Sequence, residues 1–158
     1  TQKVTMLSLT EQINALQTEN VRLVQEKQAL TDTVVTLAQE RESLVEEQNT
    51  AYYVVGTRDE LKEMGVITEE GSKFLFFGGT SLHPSRNLTP DNFTRIDLRE
   101  TTVIPLPEIG QKYKIVSRQN LADLTYPADD EGRVAGQIEI ANPEGFWAPS
   151  HYLIVVED

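Results

Sequence analysis

Cysteine is missing altogether from this chain of 158 residues, which excludes disulfides, thiolate catalysis and cysteine-ligated zinc together. Long apolar runs are missing as well. Runs such as Leu153 to Val156 fall far short of the ~20 residues a membrane-spanning helix needs, so no direct membrane insertion is expected in this segment. Positive charge is scarce: 14 Lys and Arg face 25 Asp and Glu, for a net charge of −11. The deficit is spread along the chain, with 8 acidic and 4 basic residues up to Ala51 (−4) and 17 and 10 beyond it (−7). Nucleic-acid backbones and anionic lipid surfaces both attract basic faces, so neither is an expected partner.

The residues of catalysis are equally thin. His83 and His151 are the only imidazoles, without carboxylates at metal-ligand spacing, and read as surface or packing residues. No G-x-S-x-G surrounds a serine, and no Lys-Ser/Thr follows Gly78-Gly79, so nucleophile elbows and phosphate cradles are absent. Asp129, Asp130 and Glu131 offer hard oxygens on a turn, as calcium prefers, but lack the D-x-D-x-D-G order. A solvated hairpin turn is the plainer reading. No catalytic, cofactor-binding or metal residue is assigned, no cofactor is expected, and an enzyme is not expected.

Glycine and proline are absent between Thr1 and Ala51, and there the chain has its strongest signal. Leucine recurs every seventh residue at Leu9, Leu16, Leu23, Leu30, Leu37 and Leu44. Taking these as heptad d positions, the a positions are Met6, Ile13, Asn20, Lys27, Val34, Arg41 and Gln48. Spacing of 3.5 residues supports a left-handed supercoil, and good helix formers agree with the period. About fifty residues at 1.5 Å each give a rod of roughly 75 Å. The oligomerisation seam is therefore Met6, Leu9, Ile13, Leu16, Asn20, Leu23, Lys27, Leu30, Val34, Leu37, Arg41 and Leu44, with the chain itself as partner.

Asn20 satisfies its amide only against an in-register copy, and long side chains such as Lys27, Arg41 and Gln48 reach water more easily in a dimer, so a parallel homodimer is favoured. Val24, Ala38 and Val45 at e widen the apolar stripe and admit a trimer, or an antiparallel or mixed assembly. The g glutamates Glu19, Glu26, Glu40 and Glu47 find no basic e partner. Acid from Glu40 to Glu47 opposes the macrodipole at the helix C-terminus.

After Ala51 the composition turns β-rich. Residues 1–51 are expected as a coiled-coil stalk and 52–158 as a β-rich globular domain, joined without a Gly/Pro/Ser linker and hence rigidly. Thr57 and Glu60 have capping-box spacing, for a short helix to Met64 that ends at Gly65 and buries Leu61 and Met64. Phe74–Phe77 reads as a strand before a Gly78-Gly79 turn, and 80–92 as a loop ending in one helical turn at Thr89-Pro90, pinned by Phe93. Strands follow near Ile96–Leu98, Val103–Leu106 and Tyr113–Ile115, the last paired with one strand from Val134 to Ala141. Asn142–Gly145 reads as a turn, Phe146 and Trp147 as core, and Tyr152–Val156 as a closing strand. Six or seven short strands with one or two short helices make an α+β chain, a long parallel coiled-coil helix followed by a small, mostly antiparallel sheet, barrel or sandwich.

The globular part resembles a family of exported Bacteroidetes proteins in which a heptad stalk precedes a small β-rich domain. The likeness is carried by Ala51-Tyr52-Tyr53-Val54-Val55-Gly56-Thr57 with Glu60-Leu61 and Gly65, by Phe93-Thr94, Ile96-Asp97 and Arg99-Glu100, and by Asn142-Pro143, Phe146-Trp147, Ser150 and Tyr152-Leu153, over roughly residues 45 to 158. Some members are labelled collagen-binding glycoprotein adhesins. The chain departs from the family before Tyr126, where Asn120–Thr125 replaces a His/Pro/Ser stretch. The resemblance implies an exported protein, periplasmic or at the cell surface. Asp32-Thr33-Val34 matches the triplet that such envelopes O-glycosylate, although a glycan on Thr33 at g would crowd the seam. Because Thr1 stands only a few residues before the heptads, the natural chain is expected to continue upstream, where a signal peptide or lipid anchor would lie. The expected function is non-enzymatic: a stalk displaying a β-rich interaction domain, with an adhesin for a matrix protein such as collagen, or a structural subunit of a larger envelope assembly, as alternatives.

Overall fold

The computed structural model describes residues 1–70 and 81–158 and divides the chain into two compact units, 1–48 and 49–158. The first is a single helix, α1 (Gln2–Gln48), roughly 70 Å long at 1.5 Å per residue. Thr10, Thr18, Thr31, Thr33 and Thr36 each donate their hydroxyl to the carbonyl four residues earlier, which satisfies these β-branched polar residues inside the helix. No acid occupies the first turn and no base the last, so neither end of the macrodipole is countered. The expected division at Ala51 moves to Gln48, because Thr50 and Ala51 already belong to strand β1 (Thr50–Gly56).

The second unit continues with α2 (Arg58–Glu63), β2 (Ile67–Glu70), β3 (Ser81–Pro84), β4 (Thr94–Asp97), β5 (Val103–Pro105), β6 (Lys112–Ile115), β7 (Arg133–Ala135), β8 (Gln137–Glu139), α3 (Pro143–Trp147) and β9 (Tyr152–Glu157). Five strands form one sheet in the order β4-β1-β9-β6-β7, while β2 pairs with β3 and β5 with β8 in separate ribbons. Among the described residues, all pairings but one are antiparallel. The exception is β1 against β9, parallel from Tyr52 opposite Tyr152 to Gly56 opposite Val156. The chain is thus α+β, a long N-terminal helix followed by a small β-rich domain with mostly antiparallel sheets.

The strand that closes the chain is the middle of the sheet. Leu153, Ile154, Val155 and Val156 are all buried, which alternation cannot achieve unless both faces are covered. Leu153 and Val155 join Tyr113, Ile115, Ile104, Ile138, Phe146 and Trp147 in one core cluster. Ile154 and Val156 join Val54, Leu61, Val66 and Ile67 in another. The sheet therefore lies between two apolar layers.

Local rules explain where the expected elements changed. Gly136 has φ +80°, a conformation costly for any residue with a Cβ, and it divides the expected Val134–Ala141 strand in two. Only β7 pairs with β6; β8 turns away and sets Ile138 opposite Ile104 of β5. The expected turn at Asn142–Gly145 is instead the start of α3: the Asn142 side chain accepts the Gly145 N–H at 3.4 Å, with Pro143 in the first turn. A Cβ on Gly145 would run into the Asp123 carboxylate and the Asn142 amide.

The capping box of α2 is present, with the Thr57 N–H donating to Glu60 Oε2 at 2.9 Å and Gly65 at φ +70° beyond it. Leu61 is buried, but Met64, at the C-cap, is 38 % exposed and is not part of the core. Strand β3 occupies residues expected as loop, and Thr89 precedes a 3-10 turn at Pro90–Asn92 without a side-chain cap bond. The expected strand at Phe74–Phe77 and its Gly78-Gly79 turn lie outside the described residues.

Candidate functional site

Heptad spacing on a helix of 3.6 residues per turn gathers a and d side chains into one stripe. In α1 that stripe is open. The six d leucines are 50–69 % exposed, Met6, Ile13 and Val34 likewise, and no residue of α1 is buried. Asn20, Lys27 and Arg41 are exposed on the same stripe. Ile13, Leu16, Asn20 and Val24 line one shallow apolar groove, and Leu23, Lys27, Leu30 and Val34 the next. Every residue assigned to the seam is therefore accessible, on one face of one continuous element.

Two of the g acids, Glu19 and Glu26, are handled within the helix in a way the heptad pattern did not disclose. Arg22, at c, donates to both oxygens of Glu19 at 2.7 and 2.9 Å and to Glu26 Oε2 at 2.8 Å. Its guanidinium holds the Glu19 carboxyl below the usual carboxylate range. In full solvent such pairs at i,i+3 and i,i+4 contribute little stability. They do fix where the acids point.

In the β-rich unit the polar clusters serve the sheet. Past the end of β6, the Ser117 hydroxyl accepts the Ile154 N–H at 2.9 Å and donates to Gln119 Oε1. Gln119, buried, donates its amide to the carbonyls of Ser150 and Tyr152 at 3.1 and 2.8 Å. Side chains thus supply hydrogen bonds along the start of β9 on the side away from β1. Nothing in the pattern Ser-x-Gln signals this. On the opposite edge of the sheet, Asp97 is clasped by Arg99, at 2.6 Å to the closer oxygen. That hydrogen bond, then the Arg99 backbone N–H, lowers the Asp97 carboxyl to about 2. Because the folded value is depressed, this contribution is fully present above the ordinary 3.8 and disappears as pH falls through about 2.

The acidic turn does not form a carboxylate bowl. Asp129 takes the place of a neighbouring strand for β7: its backbone N–H donates to the Arg133 carbonyl at 3.0 Å, and its Oδ1 accepts the N–H groups of Arg133 and Glu131 at 2.9 and 3.0 Å. Capping an edge in this way blocks further strand pairing. Arg133 is ion-paired with Asp129, Glu131 and Asp158, and Lys112 reaches Asp129 at 3.7 Å. A cleft of about 310 Å³ beside them is lined by Lys112, Asp129 and Arg133 with Tyr126, Pro127 and Gln137. Among the described residues, no three His, Asp or Glu side chains converge as metal ligands.

Asp129→Ala is expected to destabilise the β-rich unit by about 1–2 kcal/mol, since one carboxylate oxygen serves two backbone donors at the sheet edge. Asp129→Asn, which keeps the acceptor, is expected to cost less than half as much. Urea unfolding followed by far-UV circular dichroism checks this, and equal losses in the two variants would point to charge, not capping, as the role of Asp129.

Among the described residues neither histidine joins a cluster: His83 stands exposed on β3 opposite Thr68, and His151 is half-buried just before β9. Tyr52 stacks on Tyr152 with ring centres 5.1 Å apart, and Phe93 meets Tyr152 edge-on at 5.0 Å. Burial, and then Tyr52, raise the Tyr152 phenol above its usual value. Comparison with known proteins adds nothing to this geometry, since no family model, no curated protein and no solved structure matches the chain.

Proposed function

We propose that this chain is a non-enzymatic display module, in which α1 associates with a second copy as a parallel coiled coil and so presents two β-rich domains together. The observation that carries the reading is the exposure of all six d leucines along one stripe of α1. Fully burying one leucine contributes about 1.5–3 kcal/mol, and α1 offers six at constant spacing. A single helix in water has no other way to cover such a face than to find a second one. Placement in a cell envelope or at a cell surface belongs to the same proposal and rests on the family resemblance.

Sedimentation equilibrium of the intact chain tests it. A dimer is expected at about 50 µM, with association that weakens on dilution as mass action requires. A monomer at that concentration would remove the stalk and leave the β-rich domain without a partner for its helix.

A further inference from the structure

The a positions and the g residues directly before them vary together. Apolar Met6, Ile13 and Val34 follow uncharged Thr5, Gln12 and Thr33, whereas polar Asn20, Lys27, Arg41 and Gln48 each follow a glutamate: Glu19, Glu26, Glu40 and Glu47. An acid and a cation side by side in sequence do not face each other on one helix. In α1 they remain apart: the Lys27 ammonium and the Arg41 guanidinium make no ion pair among the described residues, while the cation that does clasp g acids is Arg22 at c.

Resting on the coiled-coil reading, we infer that these glutamates serve the second copy: Glu26 meets Lys27 of the second copy, and Glu40 meets Arg41 of the second copy, fixing a parallel, in-register pair. In such a pair the two residues of an a layer face each other, so Lys27 is brought against a like charge and so is Arg41. Each cation lays its methylenes on the seam and carries its charge to the rim, where the facing g side chain is the glutamate one residue before the same layer. Two layers therefore hold four ion pairs across the seam. Glu26 meets Arg22 through Oε2, and a carboxylate has a second oxygen to offer. Glu40 has no ion pair within the described residues and is the cleaner case.

The same pattern works against the alternatives. An antiparallel pair sets g columns against each other, acid against acid, over a chain that already carries −11. A slip of one heptad sets one Lys27 and one Arg41 against Val34 of the other copy, beside Thr33, so that two of the four cations lose their acids. Two of the acids that find no base at e, Glu26 and Glu40, thus have their partners at a.

The test compares two doubly substituted intact chains with the same charge change, Glu26→Gln with Glu40→Gln and, as control away from the seam, Glu11→Gln with Glu42→Gln. Dimer dissociation constants are measured by sedimentation equilibrium from about 50 mM to about 1 M NaCl. The g variant is expected to bind about 10-fold more weakly at low salt, while the control binds as tightly as the parent or tighter, because it only lowers self-repulsion. The parent is expected to weaken as salt rises, opposite to a pair governed by like net charge. A g variant as tight as the control would overturn this inference and leave the stalk standing. A parent chain that is monomeric throughout would overturn the stalk, and this pairing with it.

Discussion

Leu23→Glu combined with Leu30→Glu is expected to leave the intact chain monomeric at concentrations where the parent is expected to dimerise. Each parallel pair loses four leucines from consecutive layers, about 6–12 kcal/mol at ~1.5–3 kcal/mol apiece, which matches the whole free energy of a micromolar to nanomolar complex. The carboxylates that replace them would have to be buried or would hold the helices apart. The β-rich unit shares no residue with the seam, so its own unfolding transition is expected to stay where it was. Sedimentation reads the first effect and thermal circular dichroism the second. A double variant that still sediments as a dimer would place the contact away from the heptad face.

The second large effect concerns Trp147. It is 1 % exposed, packs edge-on against Phe146 at 5.1 Å, and its indole N–H is buried without an acceptor among the described residues. Trp147→Ala is expected to cost about 3–5 kcal/mol, a large part of what keeps a domain of this size folded. Trp147→Phe removes the orphaned donor along with the second ring, so relief of a ~1–3 kcal/mol desolvation penalty opposes the lost packing. A net cost near 1 kcal/mol is expected. Chemical unfolding of the intact chain checks both, and a phenylalanine variant as damaged as the alanine one would mean that the N–H is satisfied.

What the sequence made legible was local. The heptads of α1, the Thr57–Glu60 capping box and Gly65 each depend on residues within a turn or two of one another, and each lies where spacing put it. What it concealed depended on distant pairing. Strand β8 has three residues, too few for a period, and only the positive φ of Gly136 detaches it from β7. Asn142-Pro143 fits a turn as well as a helix start, and the choice falls to the Gly145 N–H. Leu153–Val156 did carry a signal of its central place, an apolar run without alternation, which marks a strand covered on both sides. The stripe of leucines along α1 was legible from the first of them, and its residues are exposed as that spacing implies. Their glutamates were less so, since e positions are the customary place to look for partners and Arg22 and the a cations stand elsewhere.

The parallel alignment of β1 and β9 has a mechanical consequence. The first and last strands of the β-rich unit lie side by side in mid-sheet and run the same way, with five facing residue pairs between them. Tension applied between Asn49 and Asp158 therefore drags the two strands past each other in shear, so that the hydrogen bonds of the pair bear the load together and do not open one after another. Resistance to pulling is a matter of the unfolding rate, not of equilibrium stability. The β-rich unit is therefore expected to yield to tension along this line more slowly than it would if β1 and β9 were peeled apart from one end.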